Sequence, residues 1–340
     1  MTEEETFNLA LEHHARGDLI EAERLYRAAL ALRPDEPRTH WNLGLLLLLK
    51  GDFAAGWPEY AWRWQLPQLR VQRLQCRQPE WRGQDLRGKR ILVYAEQGAG
   101  DSIQFARYIP LLAQAGANIW LGCQQPLAPL LQSIQGVEKC WPQPGPVPAE
   151  FDFHCSLPTL PAVMQTIPHN VPYLSAHEAR RAAWKARLPP GGFSLGLCWA
   201  GSPAHRDDAR RSIAPAYFAP FSQIPGVRLF SLQKNPAAGG FPVADFSADL
   251  TDFAETAALI ANLDLVITVD TAVAHLAGAM ARPVWLLLPH LPDWRWMLNR
   301  SDSPWYPTMR LFRQCTPGDW STPIAAAAGA LADLAGLRSA

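Results

Sequence analysis

The stretch LDLVITVDTAVAHLAGA, residues 263–279, decides the fold class of this chain. It begins as a strand-like apolar run, and from Ala272 onward its residues apart from His275 are small or apolar, as in a buried helix. The run PVWLLLP follows as a further strand candidate. A strand, a turn, a helix and a second strand in this order predict one unit of a parallel sheet. Asp270 and Thr271 stand at the turn, and His275 follows on the same helix face as Thr271.

The same alternation of strands and helices runs through most of the chain. KRILVYAE, NIWLGC and FDFHC are the strand candidates of its first half, and FSLGLCWA, VRLFSLQ and LDLVITV those of its second half. Helical patterns lie between them, among them residues 102–115, and PPGG at residues 189–192 separates the halves. We therefore predict two Rossmann-like halves, with a ligand in the cleft beyond the carboxyl ends of their strands.

The first 66 residues have a different texture and repeat at a period of 34. Gly17-Asp18 returns as Gly51-Asp52, and Tyr26 returns as Tyr60. This spacing matches the tetratricopeptide repeat, a pair of antiparallel helices. The second copy is degraded, with a glycine and a proline in its second helix. Since three or more units are usually needed for stability, we favour a helical cap over a docking surface for a partner protein and keep the second interpretation open.

The composition excludes several classes of protein. The 340 residues carry a formal net charge of zero, so no overall attraction to nucleic acid or to an anionic membrane is expected. The six cysteines are scattered and form no CxxC pair, which indicates reduced packing residues and no zinc site. The longest uninterrupted apolar run is far too short to cross a bilayer. We expect a soluble, cytoplasmic protein without a transmembrane segment.

The segment EQGAGDSIQF, residues 96–105, follows the first strand of the first half. Its glycines permit close approach of a ligand to the backbone, but it lacks both the dinucleotide fingerprint and the Gly-Lys-Ser/Thr of a P-loop. Asp101 either caps the helix that follows or projects into the cleft as a general base. The other residues of this segment that could contact a ligand are Gln97, Gly98, Gly100 and Gln104.

A second polar loop, CWAGSPAHRDDARRSIA, follows the first strand of the second half. Clustered cations beyond a strand end suit a phosphate or diphosphate. The alternative is a surface loop in which Asp207 and Asp208 neutralise its own arginines. The candidate ligands here and at the end of the next strand are Ser202, His205, Arg206, Arg210, Arg211 and Lys234.

Two further segments carry candidate site residues. The free amides at the helix start beside Thr271 are a natural seat for a diphosphate, although His275 taken alone would be read as a hydrogen-bonded core histidine. In PDWRWMLNR, residues 292–300, the side chains of Trp294, Arg295 and Trp296 either stack on a base or sugar or form a packed loop.

The elements DTAVAH and GAGD together resemble the family 9 GT-B glycosyltransferases of the ADP-heptose:lipopolysaccharide heptosyltransferase type. The whole chain is similar to bacterial proteins in which tetratricopeptide repeats precede such a domain. The resemblance implies an α/β fold of two Rossmann-like domains of GT-B type after a short all-α repeat segment. The expected boundaries are 1–66 for the repeats, 67–188 for the acceptor-side domain and 189–340 for the donor-side domain.

The resemblance also implies roles for the candidate residues. Asp270, Thr271, Ala272 and His275 match the segment that holds the donor diphosphate, the basic loop of residues 205–211 helps to carry the leaving phosphates, and Asp101 matches the proposed catalytic base. We expect a nucleoside-diphosphate sugar as substrate, transfer to a hydroxyl with inversion, and no metal or other cofactor. The layout is also similar to protein O-GlcNAc transferases and flagellin-modifying enzymes, which implies a protein as an alternative to a glycan acceptor. Two further hypotheses stay open, namely an inactive nucleotide-sugar-binding protein and a scaffold whose working surface is the repeat region.

Overall fold

Parallel strands with intervening helices form the larger part of the molecule, as the alternating sequence predicts. The structure is a computed structural model that describes residues 1–234 and 240–339. The chain divides into a helical unit and an α/β unit. The helical unit comprises Met1–Arg77, Thr159–Ile167 and Leu291–Arg300, and the α/β unit comprises Gln78–Pro158, Pro168–His290 and Ser301–Ala340. The division into three domains at residues 66 and 188 stays a prediction.

Two helical hairpins form the N-terminal part of the helical unit. Its elements are α1 (Glu3–Arg16), α2 (Leu19–Leu32), α3 (Pro37–Lys50), α4 (Phe53–Tyr60), a 3₁₀ turn (Ala61–Gln65) and α5 (Pro67–Arg70). Helices α1 and α3 both end at a glycine in the left-handed region, Gly17 with φ 84° and Gly51 with φ 85°. The aspartate that follows each glycine caps the next helix through its side chain, Asp18 on α2 and Asp52 on α4. The repeated Gly-Asp pair is therefore a repeated turn, which confirms the predicted repeat.

The second hairpin is shorter than the first, and its two helices approach closely at a glycine. Helix α4 has 8 residues against 14 in α2. A methyl group placed on Gly44 would lie 2.7 Å from the backbone nitrogen of Tyr60, so only glycine permits this approach of α3 and α4. The indole of Trp57 packs edge-on against that of Trp294, with ring centroids 5.3 Å apart, and the Arg63 guanidinium donates to the Thr159 hydroxyl over 2.7 Å. Later segments of the chain thus pack against the second hairpin within the helical unit.

The first half of the α/β unit contains a four-stranded sheet within the described residues. All of its strands are parallel, and they lie in the order β3 (Val137–Gln143), β2 (Asn118–Gln124), β1 (Arg90–Tyr94) and β4 (Phe153–Ser156). Strand β3 was not predicted, because its sequence VEKCWPQ carries charges and a proline that suit an edge strand. The elements of residues 90–187 are β1 (Arg90–Tyr94), α6 (Ala99–Phe105), α7 (Ile109–Gln114), β2 (Asn118–Gln124), α8 (Ala128–Leu131), β3 (Val137–Gln143), β4 (Phe153–Ser156), α9 (Leu160–Met164, in the helical unit) and α10 (Glu178–Arg187).

The second half contains a six-stranded sheet within the described residues, with the order β10-β9-β8-β5-β6-β7 and every pair parallel. Its core is apolar and includes Leu197, Ile267 and Leu287. The helix α14 covers part of this core, and no described helix is both long enough and apolar enough to cross a bilayer. The elements are β5 (Phe193–Cys198), α11 (Asp208–Arg211), β6 (Val227–Ser231), β7 (Ala244–Asp245), α12 (Phe253–Ile260), β8 (Leu265–Val269), α13 (Ala272–Ala279), β9 (Val284–Leu288), β10 (Met309–Arg313) and α14 (Ser321–Ser339).

The order of the strands positions the candidate loops. Because the carboxyl ends of parallel strands meet at one edge of a sheet, the loops after β5, β6 and β8 all lie at the same edge of the second sheet. The loop after β1 lies at the corresponding edge of the first sheet. These are the four loops that carry most of the polar candidates. The predicted α/β fold of two parallel sheets after a helical repeat segment is confirmed.

Candidate functional site

The helix that carries Asp101 begins earlier than the sequence predicts, which shortens the turn between β1 and this helix. Helix α6 begins at Ala99, three residues before the predicted start at Ser102. The backbone N–H of Gly98 donates to Oδ2 of Asp101 over 2.8 Å, so the carboxylate closes the first turn of its own helix. A carboxylate has two oxygens with about four acceptor positions, and the capping bond is therefore compatible with a second role for Asp101. The N-cap residue is Gly98, so the prediction that Asp101 stands at the N-cap position was wrong, and Asp101 caps the helix from its third residue instead. The role as a base stays a prediction.

Gln97, together with Glu96 and Gln124, which the sequence analysis did not select, holds this turn in place. Gln97 adopts a positive φ of 63°, which is uncommon for a residue other than glycine. Gln124, the last residue of β2, donates from its amide to the Gln97 carbonyl over 3.3 Å and accepts from the Ser102 hydroxyl over 2.8 Å. The Gln97 side chain donates over 3.1 Å to Glu96, whose side chain is buried. The neighbouring strand thus supports both ends of the Asp101 turn.

Helix α13 follows Thr271, as the sequence predicts, but the threonine side chain does not cap the helix. Thr271 is the N-cap residue, but its hydroxyl makes no capping bond. That hydroxyl lies 3.1 Å from the hydroxyl of Thr268 and 3.8 Å from the sulfur of Cys198. The first backbone N–H groups of a helix have no partner within the helix. The N–H of Ala274 is bonded to the Thr271 carbonyl over 3.0 Å. The amides that the first turn of α13 can offer to an anion are therefore those of Ala272 and Val273.

The starts of α6 and α13 meet, although they are about 170 positions apart in the printed sequence. A methyl group placed on Gly100 would lie 2.9 Å from Cδ2 of His275, 3.5 Å from its Nε2 and 3.7 Å from Cα of Ala272. The side chain of His275 is only 4% exposed. The structure therefore brings the Asp101 turn and the helix start beside Thr271 together in the α/β unit. Gln104, on the same short helix as Asp101, is buried.

A buried polar cluster backs His275 on its other side. The Nδ1 atom of His275 lies 2.9 Å from the hydroxyl of Tyr306, and burial raises the pKa of Tyr306 well above its usual value. The guanidinium of Arg107, also fully buried, lies 4.8 Å from the centre of the Tyr306 ring. It donates to the carbonyl oxygens of Gln104, Pro168 and Trp305 over 3.0, 3.3 and 2.9 Å. Sequence reasoning missed this cluster, because no local spacing relates Arg107 to a tyrosine 199 positions later.

The basic loop after β5 is mostly exposed and partly neutralised by its own carboxylates. Arg206 pairs with Asp207 over 3.1 Å, and Arg211 pairs with Asp208 over 3.4 Å. This is the internal neutralisation that the surface-loop alternative describes. The candidates that are exposed are Ser202, His205, Arg206, Arg210 and Lys234, whereas Arg211 is half-buried. Their binding roles stay predictions, and no cluster of three or more potential metal ligands occurs in the described part of the chain.

A glutamine that the sequence analysis did not select ties this loop to the next strand end. Gln233 follows β6, directly before Lys234, and is buried. Its side chain makes two hydrogen bonds with the backbone of Ala200, both 3.1 Å long, one with the N–H and one with the carbonyl. Lys234 and the start of the basic loop are therefore held at neighbouring positions on the edge of the sheet.

The tryptophans of residues 292–300 lie in the helical unit. Trp294 is 4% exposed and Trp296 is fully buried. Arg295 lies 4.4 Å from the ring centre of Trp294 and forms an ion pair with Asp293 over 2.8 Å. Protein atoms enclose both indoles, as the packed-loop alternative predicts. The stacking role proposed for these residues stays a prediction that this burial does not favour.

Comparison with known proteins agrees with this architecture. Residues 10–51 match the TPR repeat, and residues 248–287, which contain α12 through most of β9, match glycosyltransferase family 9 (heptosyltransferase). The chain is 30% identical over 330 residues to Protein FlbA of Caulobacter vibrioides, an alignment that covers 85% of this chain and 54% of that protein. The chain thus spans about half the length of this curated relative.

Solved structures share the fold at low sequence identity. The E. coli ADP-heptose lps heptosyltransferase II superposes with a TM-score of 0.54 at 15% identity, over 74% of this chain and 100% of that one. The glycosyl transferase family 9 protein from Veillonella parvula superposes with a TM-score of 0.51 at 12% identity, over 75% and 99% of the two chains. At such identities the likeness establishes the fold. The chain therefore combines an N-terminal segment that matches the tetratricopeptide repeat with an α/β part that shares the fold of these structures and contains a segment matching glycosyltransferase family 9.

Proposed function

We propose that this protein is a glycosyltransferase that moves a sugar from a nucleoside-diphosphate donor to a hydroxyl group. The observation that carries the proposal is the approach of Gly100 to His275 and Ala272. It puts a carboxylate-bearing turn at the start of a helix whose first amides can hold a diphosphate. Transfer of an activated sugar requires a base for the attacking hydroxyl close to a group that stabilises the charge on the leaving diphosphate.

The leaving diphosphate would be held by the first turn of α13 and by the basic loop. A helix N-terminus stabilises an anion by about 0.3–2 kcal/mol per charge. Arg206, Arg210, Arg211 and Lys234 supply further positive charge on the loops that follow β5 and β6. Because Arg206 and Arg211 are paired with aspartates, they would have to exchange those partners for phosphate oxygens. We propose that this combination of amides and cations replaces a metal ion.

Asp101 would act as the general base. It would accept the proton of the acceptor hydroxyl while that oxygen forms a bond to the anomeric carbon, and the bond from this carbon to the diphosphate breaks on the opposite face. The configuration at the anomeric carbon is then inverted. The backbone N–H of Gly98 fixes one carboxylate oxygen of Asp101 at 2.8 Å, and the positive φ of Gln97 sets the turn. The acceptor would be a hydroxyl of a glycan or of a protein.

A change of Asp101 to asparagine tests this role. Asparagine can still accept the bond from the Gly98 N–H but cannot take a proton, so we expect kcat to fall by about 10²–10⁴-fold with nucleotide affinity retained. Asp18→Asn is the matched control, because Asp18 also accepts a backbone N–H at a helix start. It should leave the transfer rate unchanged. Equal rates in wild type and Asp101→Asn would refute the base.

A second candidate function is binding of a nucleotide sugar without turnover. It is favoured by the capping bond of Asp101, because this bond gives the carboxylate a structural role that needs no catalysis. A panel of ADP, UDP, GDP and CDP, followed by thermal unfolding, tests the binding that both candidates share. A ligand at about 100 times its Kd stabilises the folded state by roughly 2.7 kcal/mol, which gives a clear rise in Tm. Binding without hydrolysis or transfer would support the second candidate, and the absence of any shift would argue against both.

A further inference from the structure

The side chain of Gln233 makes a two-bond contact with the backbone of Ala200. Gln233 is 8% exposed and stands two residues after the end of β6. Its Oε1 accepts from the Ala200 N–H over 3.1 Å, and its Nε2 donates to the Ala200 carbonyl over 3.1 Å. An inverted amide would set donor against donor and acceptor against acceptor. The two bonds therefore fix both the glutamine amide and the two peptide groups of Ala200.

Ala200 lies in the segment at which the basic loop leaves the sheet. The far end of the loop returns to this segment. There the N–H of Ile213 donates to the Trp199 carbonyl over 2.8 Å, and the N–H of Gly201 donates to the Ser212 hydroxyl over 3.0 Å. Both ends of the basic loop are therefore joined to the segment that the glutamine amide holds.

Gly201 connects this segment to a cation of the loop. A methyl group placed on Gly201 would lie 2.5 Å from Nη2 of Arg211 and 2.6 Å from Oδ1 of Asp208. The ion pair of these two side chains, each 17% exposed, thus rests directly on the backbone beside Ala200. The position of Arg211, a candidate ligand of the diphosphate, therefore depends on the position of Ala200.

The same glutamine lies close to the start of α13. The sulfur of the buried Cys198 lies 3.5 Å from Oε1 of Gln233 and 3.8 Å from the hydroxyl oxygen of Thr271, the N-cap residue of α13. One sulfur atom thus separates Gln233 from the helix start whose first amides can hold a diphosphate. Gln233 therefore contacts the base of the basic loop and lies next to the start of α13.

We propose that Gln233 is a positioning residue for the binding of the donor diphosphate. It fixes the base of the basic loop, and with it Arg211, at the edge of the sheet where α13 begins. Without the two bonds to Ala200, the loop keeps its cations but loses their fixed position. The role needs no contact between Gln233 and the ligand. It rests on the proposed function, because it requires a diphosphate at this edge of the sheet.

The change Gln233→Met tests the proposal, since methionine is unbranched and flexible and lacks the amide. The measurement is the Kd of the full chain for inorganic pyrophosphate and for ADP, UDP, GDP and CDP, by isothermal titration calorimetry. For each of these that wild type binds, we expect about ten-fold weaker binding, the lower end of the effect of losing one hydrogen bond to a charged group.

The matched control is Gln132→Met. The Gln132 side chain also bonds to backbone groups, since it accepts from the N–H of Cys140 over 2.7 Å and donates to the Val137 carbonyl over 3.4 Å. These bonds lie at β3, in the first sheet. Their loss should leave every Kd unchanged.

Hydrogen exchange of the Ala200 amide, followed by NMR, tests the contact without a ligand. This amide should exchange slowly in wild type and by about ten-fold or more faster in Gln233→Met. Exchange in wild type as fast as that of an unprotected amide would overturn the proposal, even if Gln233→Met does not fold.

Unchanged Kd values in Gln233→Met would overturn the positioning role, and so would an equal loss of affinity in Gln132→Met. If wild type binds none of the five ligands, the proposed function fails and the role in diphosphate binding fails with it. The exchange of the Ala200 amide still decides whether the contact exists, so the two failures are distinguishable.

Discussion

Replacing Gly100 with alanine tests the meeting of α6 and α13. Gly100 is the second residue of α6, and alanine at a helical position is preferred over glycine by about 0.5–1 kcal/mol. The new methyl group would lie 2.9 Å from Cδ2 of His275, whereas favourable carbon–carbon contacts begin near 3.5 Å. The ring or the turn must therefore move by about 0.6 Å. His275 is held by Tyr306 on its far side, so this movement meets resistance.

The two effects have opposite signs and comparable size. Overpacking by one methyl group costs about 1–3 kcal/mol, and the gain in helix propensity offsets up to about 1 kcal/mol of it. We expect a net loss of about 0–2 kcal/mol in the free energy of unfolding. For transfer, a misplacement of about 1 Å can cost 10²-fold, so a displacement of about 0.6 Å should lower kcat/KM by roughly ten-fold or more.

The assay is urea unfolding followed by tryptophan fluorescence, together with the steady-state transfer rate. Gly329→Ala in α14 is the matched control, because no atom lies within 4 Å of the new methyl group there. It should raise the free energy of unfolding by about 0.4–1 kcal/mol. If Gly100→Ala stabilised the protein as much as Gly329→Ala, the two helix starts would not lie against each other, and the reasoning behind the proposed site would fail.

The remaining predictions concern stability. Gly44→Ala should lower the free energy of unfolding by about 1–3 kcal/mol, because its methyl group would meet the backbone of Tyr60 at 2.7 Å. Urea unfolding of this variant, with Gly329→Ala as the control, measures this loss. An unchanged midpoint would contradict the close approach of α3 and α4. Above a pH of about 10 the protein should lose stability, since burial raises the pKa of Tyr26 and Tyr108, and the unfolded chain releases protons that the folded chain keeps. The slope should be up to about 1.4 kcal/mol per pH unit for each tyrosine, and Tyr26→Phe should reduce it in urea titrations between about pH 8 and 11 if this linkage holds.

The fold was predictable where the pattern was local. The runs of β1, β5 and β8 are short, apolar and flanked by turn residues, and the sequence suffices to identify each of them. The repeated Gly-Asp pair at residues 17 and 51 was equally clear, because a left-handed glycine followed by a capping aspartate is a local device. The start of α6 was misplaced by three residues, because Ala99 and Gly100 carry no strong helical preference and the helix is set by the Asp101 carboxylate.

The candidate site was predictable only in part, for a physical reason. Asp101 and the residues around Thr271 follow strand ends, and parallel sheets bring such positions to one edge. The groups that support them are set by packing between distant segments, as with Tyr306 against His275 and Gln124 against Gln97. No periodicity relates these pairs. Only Gly278, a small residue inside the buried helix α13, gives a local sign that the Tyr306 ring lies close to this helix. A methyl group placed on it would lie 2.4 Å from Cγ of that ring.

The helical unit is assembled from three separate stretches of chain, the last of which ends at Arg300. During synthesis the two hairpins leave the ribosome well before their last partner, since the indole of Trp294 that packs against Trp57 is made more than 230 residues later. At a translation speed of about 5–20 residues per second, the nascent hairpins wait at least roughly ten seconds for their last partner. The hairpins are thus made well before the segment that completes their unit, and in that interval Trp57 lacks the indole that later packs against it.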